Sequence, residues 1–164
     1  MSVHTLQLTR IPPVTAAMLV RRPPAVVFEA LVEPAMTTRF WFTKSSGRLA
    51  AGAHVRWEWE MYGASAEVHV KEVQDGRRIV FDWGDADELT TVELRFTPWD
   101  GDATFVEVTE TGFDGDGDAV VAHAAASTGG FSLALCALKA FLEHDIVLTV
   151  VADRFPQGLG HGDD

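Results

Sequence analysis

The sequence predicts an α+β fold in which a curved antiparallel sheet wraps around one long C-terminal helix, with two short helices after the first strand. Three observations predict it. Between residues 54 and 111, apolar and polar side chains alternate in runs separated by turn residues, as strands with one dry and one wet face do. From residue 127 to 145 the period becomes helical: Phe131, Leu135, Leu138 and Leu142, flanked by Ala134 and Phe141, form one stripe. Ahead of the meander, prolines punctuate two short apolar stretches at places where a helix begins or must stop.

Taken in order, residues 1–13 end in Ile11-Pro12-Pro13 and read as a loose lead-in; residues 14–21 form the first strand. Pro23-Pro24 ends it and opens a helix over 25–33, with Val27, Phe28, Leu31 and Val32 on one side. Glu33-Pro34 breaks that helix, because the residue before a proline is driven out of the α region, and Pro34 starts a second one reaching Phe40. Four alternating runs follow. Val55, Trp57, Trp59 and Met61 share the first dry face; Ala66, Val68 and Val70 the second; Ile79, Phe81 and Trp83 the third; Val92, Leu94 and Phe96 the fourth. Tyr62-Gly63, Asp75-Gly76, Gly84-Asp85 and Asp100-Gly101 supply turns between runs. Residues 103–111 form the last strand, and an acidic loop leads to the long helix over 127–145. An open sheet with one dry face needs a cover, which that helix provides. Residues 146–155 are apolar without a clear element, either capping a pocket or covering a dimer contact, and 156–164 read as a loose tail. The whole chain, 1–164, is expected to be one domain with its core at about 14–145.

Composition narrows function. With 47% apolar and 23% charged residues the chain belongs with folded globular proteins. Its net charge of −11, from 24 acids and 13 bases, repels nucleic-acid phosphates and anionic membranes, so neither is an expected partner. One cysteine, Cys136, permits no internal disulfide, and the first twenty residues lack the basic-then-apolar pattern of a secretory signal; a cytoplasmic location is the expectation. Residues 119–138 carry no formal charge over a membrane-spanning length, but they consist largely of Ala, Ser, Thr and Gly, which favours a mostly buried helix.

Several motifs carry a resemblance. Arg22-Pro23-Pro24-Ala25-Val26-Val27-Phe28-Glu29-Ala30-Leu31, then Glu33-Pro34 and Arg39-Phe40-Trp41, resembles the opening of the START-like (SRPBCC) superfamily, in the branch named after the activator of the heat-shock chaperone ATPase (AHSA-type). Thr109-Glu110-Thr111-Gly112-Phe113, Gly130-Phe131 and Leu138-Lys139-Ala140-Phe141-Leu142-Glu143 resemble its end. The resemblance implies the helix-grip fold, with a cavity between sheet and helix that in the wider superfamily holds lipids, hormones or polyketides, sometimes with catalysis. It also implies a protein-interaction role on a chaperone ATPase as an alternative. The chain departs from the family in carrying Phe131 where tryptophan is common and Glu110 where histidine is common.

The expected function is therefore binding of a small hydrophobic or aromatic molecule, without a cofactor. Trp41, Trp57, Trp59, Phe81, Trp83, Phe96 and Phe131 are the candidate lining residues, because all fall on the dry phase or at its ends. Glu110 shares its strand face with Val106 and Val108, so it is the candidate polar anchor and the candidate catalytic acid or base of the enzyme alternative. Burial there is expected to raise its pKa, and Arg39 is its candidate partner. No metal site is expected. The histidines (His4, His54, His69, His123, His144, His161) show no paired spacing, and Asp114, Asp116 and Asp118 lack the glycine and closing glutamate of a calcium loop, reading instead as an acidic turn at a helix N-terminus. Cys136 is expected to be a buried, inert thiol, and oligomeric state is open to a homodimer.

Overall fold

The computed structural model of the protein describes residues 5–159; His4, His161 and the outermost parts of the expected loose ends lie outside the described residues. β1 (Val14–Val20) leads into α1 (Pro24–Val32) and α2 (Pro34–Thr37). A two-residue strand β2 (Lys44–Ser45) precedes the meander β3 (His54–Trp59), β4 (Ala64–Gln74), β5 (Arg78–Asp85), β6 (Glu88–Trp99) and β7 (Ala103–Thr111). The chain then forms α3 (Gly117–His144) and the short α4 (Val150–Asp153).

The seven strands make one antiparallel sheet in the order β1-β7-β6-β5-β4-β3-β2. The meander pairs neighbour with neighbour, while β1 joins its far end, with Val14 opposite Glu110 and Val20 opposite Thr104. Alternation decides which face is dry. Val55 and Trp57, Ala66, Val68 and Val70, Ile79 and Phe81, Val92, Leu94 and Phe96, and Val106 and Val108 are all buried. Phe131, Ala134, Leu135, Ala137 and Leu138 of α3 close over that face. Outside, His54 and His69 sit opposite each other on β3 and β4 with ring centroids 3.9 Å apart.

α1 begins with Pro24 in the first turn, where a missing N–H leaves no helical bond unmade. It buries Val27, Phe28, Ala30, Leu31 and Val32, and Phe28 meets Phe96 edge to face at 5.6 Å. Glu33, extended before Pro34, ends α1, and its side chain then caps α2 by accepting from the Ala35 N–H. The second helix stops at Thr37 rather than reaching Phe40. Phe40, Trp41 and Phe42 are all buried in succession, and a helix turning about 100° per residue cannot put three consecutive side chains on one side. The buried Thr37 hydroxyl donates to the carbonyl of Ala30 at 2.6 Å, so it leaves no orphaned polar group.

Two further expectations change. Met61 is exposed, because β3 gives way after Trp59 to a 3-10 turn over Glu60–Tyr62. The long helix starts ten residues earlier than its apolar stripe, at Gly117, where the Asp116 side chain caps it by accepting from the Ala119 N–H at 2.8 Å. The acidic turn thus feeds a helix N-terminus. Glycine is required at 117, because a Cβ there would lie 2.2 Å from the carbonyl oxygen of Leu6, which crosses the start of α3. At the other end Lys139 Nζ donates to the carbonyl of Leu19 at 2.7 Å and to Glu143, tying α3 to β1.

Candidate functional site

Side-chain size along α3 decides where space remains. Its C-terminal half carries Leu135, Leu138 and Phe141, which fill the concave face; the void left among Leu31, Phe40, Leu94, Val108 and Leu138 is about 20 Å³, too small for a ligand. Its N-terminal half carries Ala125, Ala126, Gly129 and Gly130, and beside these lies a partly open cavity of about 740 Å³. Trp41, Trp59, Ala64 and Trp83 wall it from the sheet side, with Phe131 and Leu133 from the helix. These rings brace one another: Trp83 and Phe131 stack at 5.6 Å, and Trp41 packs against Trp83 at 5.8 Å and Phe131 at 6.2 Å.

The segment after α3 forms the remaining wall. Val151, Arg154, Phe155 and Leu159 face the cavity, so the later part of the 146–155 segment contributes to its wall. Tyr62 fastens them: its hydroxyl is shared between the carbonyls of Val151 and Ala152, and it accepts from the Phe155 N–H at 3.3 Å.

Besides Arg154 and Tyr62, one polar constellation borders this largely apolar space. Glu110 is 1% exposed. Its Oε2 accepts from Thr90 Oγ1 at 2.6 Å and Trp83 Nε1 at 3.3 Å, and its Oε1 lies 3.0 Å from His123 Nε2. Strand register assembles the donors, since Glu110 pairs with Val92, Thr90 lies one step along the same face, and Trp83 pairs with Thr90. Burial pushes the Glu110 carboxyl up, but hydrogen bonds from Thr90, Ser127, His123 and Trp83 outweigh it and hold the group below the ordinary glutamate value. The expected upward shift is thus reversed. A carboxylate supplied with this many donors stays ionised, and His123 then presents N–H at Nε2. Ser127 Oγ is 3.2 Å from the same nitrogen, and Phe113 stacks on the imidazole at 4.4 Å.

Of the residues singled out from sequence, Trp41, Trp59, Trp83 and Phe131 line the cavity. Trp57, Phe81 and Phe96 lie away from it, at 1%, 0% and 3% exposure, because neighbouring rings cover them; Phe42 stacks on Trp57 at 4.4 Å. Trp57 Nε1 is buried and has no hydrogen-bond partner among the described residues. Glu110 reaches the cavity through His123. Arg39 is not its partner; its guanidinium lies 5.9 Å from the ring centre of Phe141. Cys136 is exposed, not buried, because it falls on the outer side of α3. Among the described residues no group of three His, Cys, Asp or Glu side chains could hold a metal ion. His123 and Ser127 went unremarked in the sequence, yet a signal existed: counting back from Phe131 by helical turns gives Ser127 and His123 on the same stripe.

Fold and site together define a helix-grip protein whose cavity lies beside the N-terminal half of its long helix. Residues 21–143 match the family described as Activator of Hsp90 ATPase homolog 1-like protein, and the chain belongs to that family. The protein SSP2350 from Staphylococcus saprophyticus is similar at 29% identity over 84% of this chain and 96% of its own, with a TM-score of 0.72. DynU16, from the dynemicin biosynthetic locus, is similar at 20% identity and TM-score 0.73; the match covers 82% of this chain but 48% of DynU16. The Aha1 dimer from Colwellia psychrerythraea, a solution structure, is similar at 15% identity over 81% of this chain and 97% of its own, TM-score 0.71. The last two likenesses concern the fold alone. No curated protein matches the chain. Among the described residues one helix, α3, is long and apolar enough to cross a membrane by length and composition; here it covers the sheet.

Proposed function

We propose that this protein binds a small, largely apolar aromatic molecule in the cavity between the sheet, the N-terminal half of α3 and the α4 segment. The observation that carries this reading is a cavity of about 740 Å³ walled by Trp41, Trp59, Trp83 and Phe131 with few polar groups. Ligand sites of roughly 300–1,000 Å³ have this make-up, apolar walls with a small number of placed polar atoms. Burying ~200–300 Å² of ligand at ~25 cal/mol per Å² supplies roughly 5–8 kcal/mol before ordering costs, so affinity is expected near micromolar at best. That suits a carrier or sensor. Native mass spectrometry of freshly purified protein, compared with the denatured sample, tests the reading: a small molecule released on unfolding supports it. If that spectrum is empty and fatty acids, polyphenols and steroids all fail to give saturable thermal stabilisation, the reading is wrong.

Catalysis is the second reading, favoured by the Glu110–His123 pair at the cavity. With Glu110 held ionised, the acid–base group would be His123 rather than the glutamate. A chaperone-ATPase role rests on the family description alone, and an unchanged ATPase rate at excess protein would remove it. We place the protein in the cytoplasm on its acidity and lone cysteine. A homodimer is proposed because Ile146 and Val147 are each 51% exposed and the Colwellia relative is a dimer; light scattering tests it.

A further inference from the structure

We propose that the ligand of this cavity is a flat aromatic carboxylate, its apolar body lying against the tryptophans and its anion paired with the Arg154 guanidinium at the mouth. The proposal rests on the binding reading above and specifies the ligand's charged end.

The inner polar groups are already committed to one another. Glu110 accepts from Thr90, Trp83, His123 and Ser127. Tyr62 likewise gives its hydroxyl to the α4 segment, at the carbonyls of Val151 and Ala152 and the Phe155 N–H. Arg154 differs. It lines the same cavity, yet its guanidinium enters no ion pair among the described residues. The acid next to it in sequence, Asp153, accepts from the Thr149 hydroxyl instead. Among the described residues no aspartate or glutamate lines the cavity. Arg154 therefore sets the sign of the charge there, although the chain as a whole carries −11.

The guanidinium is also held in place. Its Cζ lies 4.4 Å from the centre of the Phe155 ring, which stands edge to face with Tyr62 at 5.8 Å. Stacking uses the flat face of a guanidinium and leaves the N–H groups around its edge open to an acceptor. A carboxylate takes those donors two at a time, which a hydroxyl or an ether cannot do. One guanidinium offsets one negative charge; a phosphate dianion would leave its second charge in an acid-rich protein. A ligand ammonium meets the wrong sign at Arg154, and finds Glu110 1% exposed and already surrounded by donors. Exposure sets the orientation. Trp41 and Phe131 are buried, whereas Arg154, Phe155 and Leu159 are exposed, so the rings go inward and the anion stays at the mouth, where it keeps part of its hydration.

The test uses three probes on one scaffold: 1-pyrenecarboxylic acid, 1-pyrenemethanol and 1-pyrenemethylamine, which at neutral pH are an anion, a neutral molecule and a cation. Each is titrated into the full chain, read by energy transfer from tryptophan to pyrene. The carboxylate is expected to bind about tenfold more tightly than the alcohol, with the amine weakest. Arg154→Met, at an exposed position, should abolish that preference while the alcohol binds as before. Arg154→Lys keeps the charge but not the fork, and should retain only part of the preference. Arg39→Met removes the same charge outside the cavity lining, and should leave the preference unchanged. Equal binding of carboxylate and alcohol to the unaltered chain overturns this proposal and leaves the cavity reading standing. So does a preference that survives Arg154→Met, or one lost equally in Arg39→Met. Tightest binding by the amine overturns it too. Failure of all three probes to bind overturns both.

Discussion

Glu110 and His123 stand thirteen residues apart in sequence and 3.0 Å apart in the fold, joined through Oε1 and Nε2. The contact links the last strand to the first half of the long helix, at the boundary between packed core and open cavity. On the core side Thr90 and Trp83 occupy the second carboxylate oxygen; on the cavity side the imidazole stands between the carboxylate and any ligand. The pair is thus both an internal tie and the polar margin of the site, and the two roles separate under substitution.

Replacing Glu110 by leucine strips Thr90, Trp83, His123 and Ser127 of their shared acceptor at once. Donors left unsatisfied in a dry interior are costly, and Glu110→Leu is expected to lose about 2–4 kcal/mol of stability. Glu110→Gln keeps an acceptor in place and is expected to lose about 1–2 kcal/mol. Urea unfolding measures both. A leucine variant as stable as the parent would show that the network contributes nothing net.

The lowered pKa of Glu110 sets the direction of a pH effect. The unfolded carboxyl takes up its proton first as pH falls, so the stabilisation is complete above the unfolded value, ~4.3, and drains away as pH drops through and below it. Asp82, Glu93 and Glu143, also held low by their partners, contribute to the same acid limb. Subtracting the Glu110→Gln variant isolates one group. The stability gap between parent and variant should be constant near neutral pH and shrink below about pH 4.3; a gap that stays constant means Glu110 is not ionised in the fold.

What the sequence revealed and what it hid have physical causes. Ile79 and Phe81, or Val92, Leu94 and Phe96, announced a dry face because strand alternation is local and large side chains mark it. The start of α3 was hidden because Ala122, Ala124, Ala125 and Ala126 are too small to draw a stripe; there the helix rests on intrinsic propensity and the Asp116 cap. Two of these, Ala125 and Ala126, with Gly129 and Gly130 leave the cavity open, so the element hardest to see was the one that makes the site. Burial of Glu110 was legible from Val106 and Val108, but the direction of its pKa was not. Thr90 and Trp83 reach it from two other strands, and only the sheet register aligns them. Trp57 and Trp59 share one phase, yet one is core and the other cavity wall, a distinction set by what covers each.

Cys136 offers a simple check on how α3 is oriented. With its thiol on the outer side of the helix, it should react with Ellman's reagent in the folded protein without denaturant. Reaction only after unfolding would mean the helix is rotated relative to the sheet.

Gly129 and Gly130 lie within α3, and a Cβ at either position would have no heavy atom within 4 Å. Glycine in a helix interior is less favourable than alanine by about 0.5–1 kcal/mol, so Gly129→Ala and Gly130→Ala are each expected to raise stability by about that amount. Both residues face the cavity, and larger replacements should fill it. Gly130→Leu is therefore expected to keep or raise the melting temperature while weakening binding of any cavity ligand. A parallel loss of stability would place the two glycines against packed structure instead.

Tyr62 is the last link between sheet and cap. Removing its hydroxyl in Tyr62→Phe deletes the bonds to the carbonyls of Val151 and Ala152 and the acceptor for the Phe155 N–H, but keeps the ring edge to face with Phe155 at 5.8 Å. The cap is short, and Leu148, Val150 and Val151 pack against the core only in part, so its opening need not involve global unfolding. Hydrogen exchange at the Phe155 amide should accelerate by roughly tenfold, with global stability reduced by less than about 1 kcal/mol. Ligand association should quicken as well, if the segment must move aside for entry. Unchanged exchange at Phe155 would show that the aromatic contact alone holds the cap, and that the tyrosine hydroxyl is incidental to it.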